Sequence, residues 1–303
     1  MRIGVDLGGS KIEGIALDDA GRILAKQRTE TPAGDYRATV NAVANMVYRL
    51  EQETGRPGSV GIGTPGSPSP INGLIRNANS TCLNGQPLQQ DLEQVLSRPI
   101  RLANDADCFA LSESTDGAGR DYTSVFGVIL GTGVGAGVVI RGGLIPSINR
   151  IAGEWGHNPL PWPKPVEMPG ERCYCGQRGC IETFLSGPGL SHDYRCTTGR
   201  SITAQALSDR LAQQEPAAIQ VMARYEDRLA RSLATVINIL DPDAIVLGGG
   251  LSNLSHLYQR VPEIWTQYIF SDGVCTSLLP PMHGDSSGVR GAAWLWGIDE
   301  YAY

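Results

Sequence analysis

Apolar residues along the chain fall into short runs and helical stripes. Residues 2–7, 11–17 and 22–29 are apolar or alternating runs. They are separated by Gly8-Gly9-Ser10 and Asp18-Asp19-Ala20-Gly21, which predicts three strands joined by turns. Val40, Val43, Met46, Val47 and Leu50 recur at helical spacing and predict a helix over 36–54. Residues 59–63 and 100–103 predict two further strands, with a helix starting near Asn104. The pattern then restarts. Residues 124–130 predict a strand, Gly131-Thr132-Gly133 a turn and 138–140 a returning strand. Ile219, Met222, Leu229, Leu233, Val236, Ile237 and Leu240 share one face of a helix over 216–240, which Asp241-Pro242 ends. Residues 244–247 predict a strand followed by Gly248-Gly249-Gly250, and 286–297 a terminal helix.

This repeat predicts two α/β domains with a cleft between them. One covers 1–117 plus the terminal helix at 286–303, and the other covers 118–285. The segment 142–181 breaks the pattern: it is rich in Pro, Gly and Cys and carries Glu and His among apolar residues. Long irregular segments of this kind are usually functional or disordered, and the residues this one carries favour function. The chain is 41% hydrophobic and 18% charged, which suits a buried core. A net charge of −6 argues against a nucleic-acid-binding surface. No run of about 18 apolar residues exists, so no membrane span is expected. Residues 1–6 lack the apolar stretch and cleavage site of a signal peptide, and a cytoplasmic location is expected. Glycine makes up 38 of 303 residues, well above the usual share of about 7%. There is no Gly-X-Y period and no Gly/Ser tract, so the surplus points to turns where backbone approaches a ligand.

Three such turns each follow an apolar strand, at 6–11, 131–137 and 248–250. Backbone N–H groups bared by glycine can face an anion, and together the turns point to a nucleotide. No Gly-x-x-x-x-Gly-Lys-Ser/Thr segment exists, which excludes a P-loop enzyme. The run 131–137 leads into strand-like Val138-Val139-Ile140, which disfavours a dinucleotide fold. The His-Arg-Asp and Asp-Phe-Gly segments of protein kinases are also absent.

Asn104 and Asp105 stand where a strand meets a helix. Both residue types cap helices. A carboxylate there is equally able to accept an alcohol's proton during phosphoryl transfer. An added carboxylate at Asp107 would raise the Asp105 carboxyl if it faced the site. Cys173, Cys175 and Cys180 fall within eight residues, and His157 precedes Cys173 by sixteen. Three thiolates and one imidazole meet the tetrahedral count for a structural Zn²⁺ with no position left for water. Free thiols, or a disulfide with one odd cysteine, are the alternative. Cys82, Cys108, Cys196 and Cys275 read as ordinary thiols, and His192, His256 and His283 as structural or solvated.

Asp6-Leu7-Gly8-Gly9-Ser10-Lys11 with Leu130-Gly131-Thr132-Gly133-Val134-Gly135 resembles the sugar-kinase branch of the actin/hexokinase superfamily. The segment Cys173-Tyr174-Cys175-Gly176-Gln177-Arg178-Gly179-Cys180-Ile181-Glu182 narrows the resemblance to the ROK family of sugar kinases and repressors, over essentially the whole chain. The resemblance implies a duplicated ribonuclease-H-like fold that holds ATP, Mg²⁺ and a hexose in its cleft. Asp105 is then the general base acting on the 6-hydroxyl. Gly66, Asn79, Asn104, Glu154, His157 and Glu182 contact the sugar, with the second nitrogen of His157 free for a hydroxyl. Asp6, Gly8, Gly9, Ser10, Lys11, Thr132, Gly133, Gly135, Gly249 and Gly250 hold the nucleotide. His157, Cys173, Cys175 and Cys180 bind zinc, which fixes the loop carrying Glu154 and Glu182. A homodimer is implied as well. The stretches around Asn79, Glu154 and His283 look most like the family's fructokinases with mannose activity. Its N-acetylglucosamine kinases and glucokinases come next. The family's repressors carry a DNA-binding domain ahead of the first strand, for which a strand beginning at Arg2 is expected to leave no room. An actin-like nucleotide-binding module would need the glycine turns without the sugar-reading residues.

Overall fold

Strand β1 (Arg2–Leu7) is almost wholly buried, with Ile3, Val5 and Leu7 in the core. It pairs antiparallel with β2 (Lys11–Leu17), which pairs antiparallel with β3 (Ile23–Glu30). Helix α1 (Tyr36–Thr54) buries Val40, Val43, Met46, Val47 and Leu50 in the core beside these strands. The Asp35 carboxylate caps its start by accepting from the Ala38 N–H. Strand β4 (Ser59–Thr64) runs parallel to β1, and a small hairpin of β5 (Ser67–Pro68) and β6 (Ile75–Arg76) follows. Helix α2 (Leu88–Leu96) leads to β7 (Ile100–Asn104), which is parallel to β4, and then to α3 (Asp105–Thr115). The sheet order is β3-β2-β1-β4-β7. The computed structural model describes residues 1–78 and 80–297, with Asp285 by its backbone only. Asn79 and the end of the expected terminal helix, 298–303, lie outside the described residues.

The second half repeats the scheme. Strands β8 (Ser124–Leu130), β9 (Val134–Ile140) and β10 (Gly143–Leu144) come first. Then come α4 (Glu182–Leu185), α5 (Gly187–Thr198), α6 (Ala204–Ala212) and α7 (Pro216–Leu240). Strand β11 (Ala244–Gly248), α8 (Leu257–Trp265) and β12 (Ser277–Leu279) complete it, and α9 (Ser287–Trp294) ends the described chain. The sheet order is β10-β9-β8-β11-β12, with β11 parallel to both β8 and β12. Two sheets with the same order of strands along the chain are the mark of a duplicated α/β fold.

The chain divides into two units. One comprises Met1–Arg120, Gly137–Ala152 and the segment from Met282; the other comprises Asp121–Ala136 and Gly153–Pro281. The sequence reading gave all of 118–285 to the second domain, and residues 137–152 depart from it. At Gly137 the strand passes directly over α3: a Cβ there would lie 2.7 Å from the Ala106 carbonyl oxygen and 2.8 Å from the Asp107 Cα. Within the first unit, α9 packs on β1, β4 and α3. The contact at β4 is backbone on backbone, since a Cβ at Gly61 would lie 1.9 Å from the Ala292 carbonyl oxygen. The buried Glu113 carboxylate ties α3 to the entry of α9 by accepting from the Met282 and His283 N–H groups and the Ser287 hydroxyl. In the second unit, Glu167 accepts from Arg228 and Arg231 of α7, which pins the irregular 157–181 segment to that helix. Among the described residues, no helix is long and apolar enough to cross a membrane.

Candidate active site and metal centre

In the first unit the site residues gather at the C-terminal ends of the parallel strands, where this class of sheet binds ligands. Asn104 ends β7 and caps α3, its Oδ1 accepting from the Asp107 N–H at 2.6 Å. That oxygen is committed to the helix, so what Asn104 has left to offer a ligand is chiefly its amide N–H₂. Asp105 is the first residue of α3, and its Oδ1 accepts from the Ala106 N–H at 2.9 Å. Asp6, at the end of β1, lies between two glycines: a Cβ at Gly63 or Gly288 would stand 3.8 or 3.7 Å from its carboxylate oxygens. The turn after β1 is held from beside β3, where the Thr31 hydroxyl donates to the Gly8 carbonyl and the Thr31 N–H to the Ser10 carbonyl. Lys11 opens β2 directly after this turn. A Cβ at Gly9 would meet the Ser80 hydroxyl at 3.4 Å, which brings the loop after β6 to the turn. Gly66 takes φ +77° where a Cβ would stand 2.3 Å from the Arg76 carbonyl, so glycine is needed there by the hairpin itself.

These carboxylates are electrostatically unusual. Burial raises the Asp6 carboxyl from 3.8 to about 6, and the charges of Asp105 and Glu13 add to the effect against Lys11. Asp105 is exposed to water at its surface yet set deep among protein atoms. Those surroundings push its carboxyl up, and the N–H of Ala106 opposes the shift. Asp107 and Asn104 line a cavity of about 650 Å³ together with Arg101 and Leu144.

In the second unit, the turn between β8 and β9 closes on itself through a bond from the Gly131 N–H to the Gly133 carbonyl. Thr132 is at its tip, and Gly135 lies in β9. Gly249, with φ +78°, is pressed against the end of β8: a Cβ there would meet the Leu130 carbonyl at 2.4 Å. Gly249 and Gly250 therefore stand beside the Gly131–Gly133 turn. Glu182 reaches the same turn, its Oε2 accepting from the Val134 N–H at 2.9 Å.

His157, Cys173, Cys175 and Cys180 present donor atoms that all lie within 4.8 Å of one another. Cys173 Sγ is 3.5 Å from His157 Nδ1, and Cys175 Sγ is 3.6 Å from Cys180 Sγ. A zinc tetrahedron with bonds of about 2.3 Å to sulfur and about 2.0–2.1 Å to nitrogen has S···S and S···N edges of about 3.8 and 3.5 Å. The four side chains fit that ion. His157 Nε2 lies 2.9 Å from the Tyr174 hydroxyl, so the ring's second nitrogen is already engaged. The expectation that this nitrogen is free for a sugar hydroxyl is corrected accordingly. Burial pushes the Tyr174 hydroxyl up to about 12, with the charges of Glu182 and Glu154 adding to it. Glu154, His157 and Glu182 are thus gathered around Tyr174. A cavity of about 520 Å³ adjoins them, lined in part by Thr132, Tyr174, Glu182 and Ser186.

Sequence reasoning passed over Tyr174, although its place between two ligand cysteines marked it. It also read Cys108 as an ordinary thiol. The buried Cys108 sulfur lies 3.2 Å from where a Gly63 Cβ would be, one helical turn beyond Asp105. Burial pushes that thiol well up, with the charges of Asp107, Asp6 and Asp105 adding.

The duplicated strand order, the paired glycine turns and the strand-end Asn-Asp define the class: a sugar kinase of the actin/hexokinase fold. The chain belongs to the ROK family, whose sequence profile matches residues 2–298. It is 38% identical over 299 residues to the N-acetyl-D-glucosamine kinase of Yersinia pseudotuberculosis, an alignment covering 97% of this chain and 98% of the relative. The ROK hexokinase of Thermus thermophilus superposes with a TM-score of 0.86 at 29% identity, covering 97% of each chain. A ROK family glucokinase from Streptomyces griseus, solved with glucose and AMPPNP, superposes with a TM-score of 0.76 at 27% identity, over 97% of this chain and 98% of that one. Fructose, the acceptor expected from the sequence, finds no support among these relatives.

Proposed function

We propose that the chain transfers the γ-phosphoryl group of MgATP to the 6-hydroxyl of N-acetyl-D-glucosamine. The observation that carries the reading is Asp105, a water-accessible carboxylate at the start of α3 whose carboxyl is raised by its surroundings. A sugar alcohol is a poor nucleophile. A positioned carboxylate that takes its proton as attack proceeds contributes about 10²- to 10⁴-fold. Asp105 accepts the 6-hydroxyl proton while that oxygen bonds to the γ-phosphorus and the bond to the bridging oxygen of ADP breaks. Asp6 would hold Mg²⁺: it is a hard oxygen donor whose desolvated charge a cation relieves, and Mg²⁺ commonly takes one or two carboxylates plus phosphate oxygens. Bound there, Mg²⁺ neutralises charge on the phosphates.

Gly8, Gly9, Ser10 and Lys11 of the first unit, and Thr132, Gly133, Gly135, Gly249 and Gly250 of the second, are assigned to the nucleotide. Gly66 and Asn104 of the first unit, Asn79, and Glu154 and Glu182 of the second unit are assigned to the sugar, and His157 to the metal cluster. His157, Cys173, Cys175 and Cys180 would hold a structural zinc that orders the segment bearing Glu154 and Glu182. A homodimer rests on the family resemblance, and light scattering after size exclusion tests it.

The acetamido hexose replaces fructose because relatives named as N-acetyl-D-glucosamine kinases match at 38% identity over nearly the full chain. A coupled ATP assay over N-acetyl-D-glucosamine, glucose, mannose and fructose tests the assignment. The highest kcat/KM is expected with N-acetyl-D-glucosamine. A value as high with fructose overturns the acceptor, and ATP turnover unaffected by any sugar overturns the kinase reading.

A further inference from the structure

The short stretch from Cys180 to Gly187 joins the thiol–imidazole cluster to the glycine turn. Cys180 is a member of the cluster, and its carbonyl accepts from both the N–H and the hydroxyl of Thr183. The Ile181 N–H donates to the Asn158 carbonyl and the Leu160 N–H to the Gly179 carbonyl, so this stretch is zipped to the residues that follow His157. Two residues past Cys180, Glu182 Oε2 accepts from the Val134 N–H at 2.9 Å. Its other oxygen, Oε1, lies 3.9 Å from Cys173 Sγ. Five residues further on, the Gly187 N–H donates to the Gly131 carbonyl at 2.8 Å. The turn that is assigned to the nucleotide phosphates is therefore clamped at both ends by the segment that leaves the cluster. Room has been left for the carboxylate as well, because a Cβ at Gly133 would stand 2.7 Å from Glu182 Oε2.

From this we infer that Glu182 is a positioning residue for the phosphate turn, and that it passes the order of the zinc cluster to nucleotide binding. A bound zinc fixes Cys173 and Cys180, and with them the start of α4. Glu182 then holds the Val134 N–H and leaves the N–H groups of Thr132 and Gly133 for the phosphates. Without the ion the cluster has no covalent tie, and the turn loses its anchor. The inference rests on the reading that 131–135 binds nucleotide. It adds a second task to a glutamate assigned only to the sugar.

MgADP affinity, measured by calorimetry without sugar, tests it on the full chain. Wild type is compared zinc-loaded and zinc-stripped, and the same pair is measured for Glu182→Ala and Glu182→Gln. Stripping wild type is expected to weaken MgADP by about tenfold, which is about 1.4 kcal/mol, and restored zinc to reverse it. Zinc-loaded Glu182→Ala is expected to bind as weakly as stripped wild type and to lose little more on stripping, because the two changes act through one tie. Glu182→Gln keeps an oxygen for the Val134 N–H and is expected to stay within about threefold of wild type. If the Ala variant fails to fold, Glu182→Asp, one methylene shorter, takes its place with the same expectation. Equal MgADP affinity in loaded and stripped wild type overturns the inference, as does a stripping effect as large in Glu182→Ala as in wild type. Failure of loaded wild type to bind MgADP overturns the nucleotide reading itself, a separate outcome.

Discussion

Asp6 places a high energetic demand on the fold. Its carboxyl is raised from 3.8 to about 6, chiefly because burial strips water from the anion and secondarily because Asp105 and Glu13 are close. A shift of roughly two units, at about 1.4 kcal/mol per unit, corresponds to about 3 kcal/mol of differential stability. The folded state holds this proton more tightly than the unfolded chain does. The group's contribution to stability is therefore full below about pH 4, declines as pH rises to about 6, and is flat above. Asparagine has no charge to desolvate. In Mg²⁺-free buffer at pH 7, Asp6→Asn is expected to be more stable than wild type by about 1–3 kcal/mol, the lower end reflecting partial contact of Asp6 with water. The advantage should shrink on acidification and vanish near pH 4. The same variant is expected to lose phosphoryl transfer, because its amide cannot neutralise a magnesium ion. Urea unfolding at pH 4, 5, 6 and 7 gives the two stability curves, and a coupled assay gives the rate. A variant no more stable than wild type at pH 7, or a gap that is constant across the pH range, refutes the reasoning.

Further outcomes follow from other parts of the molecule. Asp105→Asn is expected to lower kcat by at least about 10²-fold while calorimetry shows sugar affinity within about threefold of wild type; near-normal kcat would remove Asp105 as the base. In the wild type, kcat is expected to fall on acidification through a pKa above the ordinary carboxylate range, since Asp105 must be ionised to accept a proton. Elemental analysis is expected to find about one zinc per chain, with most of it lost in Cys175→Ser, because a structural site needs four protein ligands. Glu167→Gln removes the anion shared by the buried Arg228 and Arg231, which keep Asp193 and Asp227 as partners, and is expected to cost about 1.5–3 kcal/mol in urea unfolding.

The periodic elements were legible because their signals are local. The stripe Val40, Val43, Met46, Val47, Leu50 marked a helix over 36–54, and α1 occupies Tyr36–Thr54. The long helix at 216–240 coincides with α7. Helices α2, α4, α5, α6 and α8 and strand β12 went unread, since each is only three to twelve residues long and too short to build a clear stripe. The cysteine cluster was legible for a similar reason: three of its four members sit within eight residues, so chain connectivity alone keeps them near.

Other features had no local signal. The partner of His157 Nε2 is a tyrosine seventeen residues away, and nothing in the spacing says which ring nitrogen faces it. The raised carboxyl of Asp6 depends on burial and on Asp105, nearly a hundred positions away, which only folding brings near. The return of Gly137–Ala152 to the first unit reflects the absence of a Cβ where β9 crosses α3, a fact of packing rather than of pattern.

Residue order was sufficient for the duplicated α/β scheme, the glycine turns and the gathering of the three cysteines, because hydrophobic period, turn chemistry and residue spacing act over a few residues. Packing alone decided that Glu182 bonds to the turn between β8 and β9, that Tyr174 occupies the second nitrogen of His157, and that Asp6 sits desolvated beside Asp105. Hydrogen bonds and dielectric surroundings belong to distances in space, and those exist only once the chain has folded.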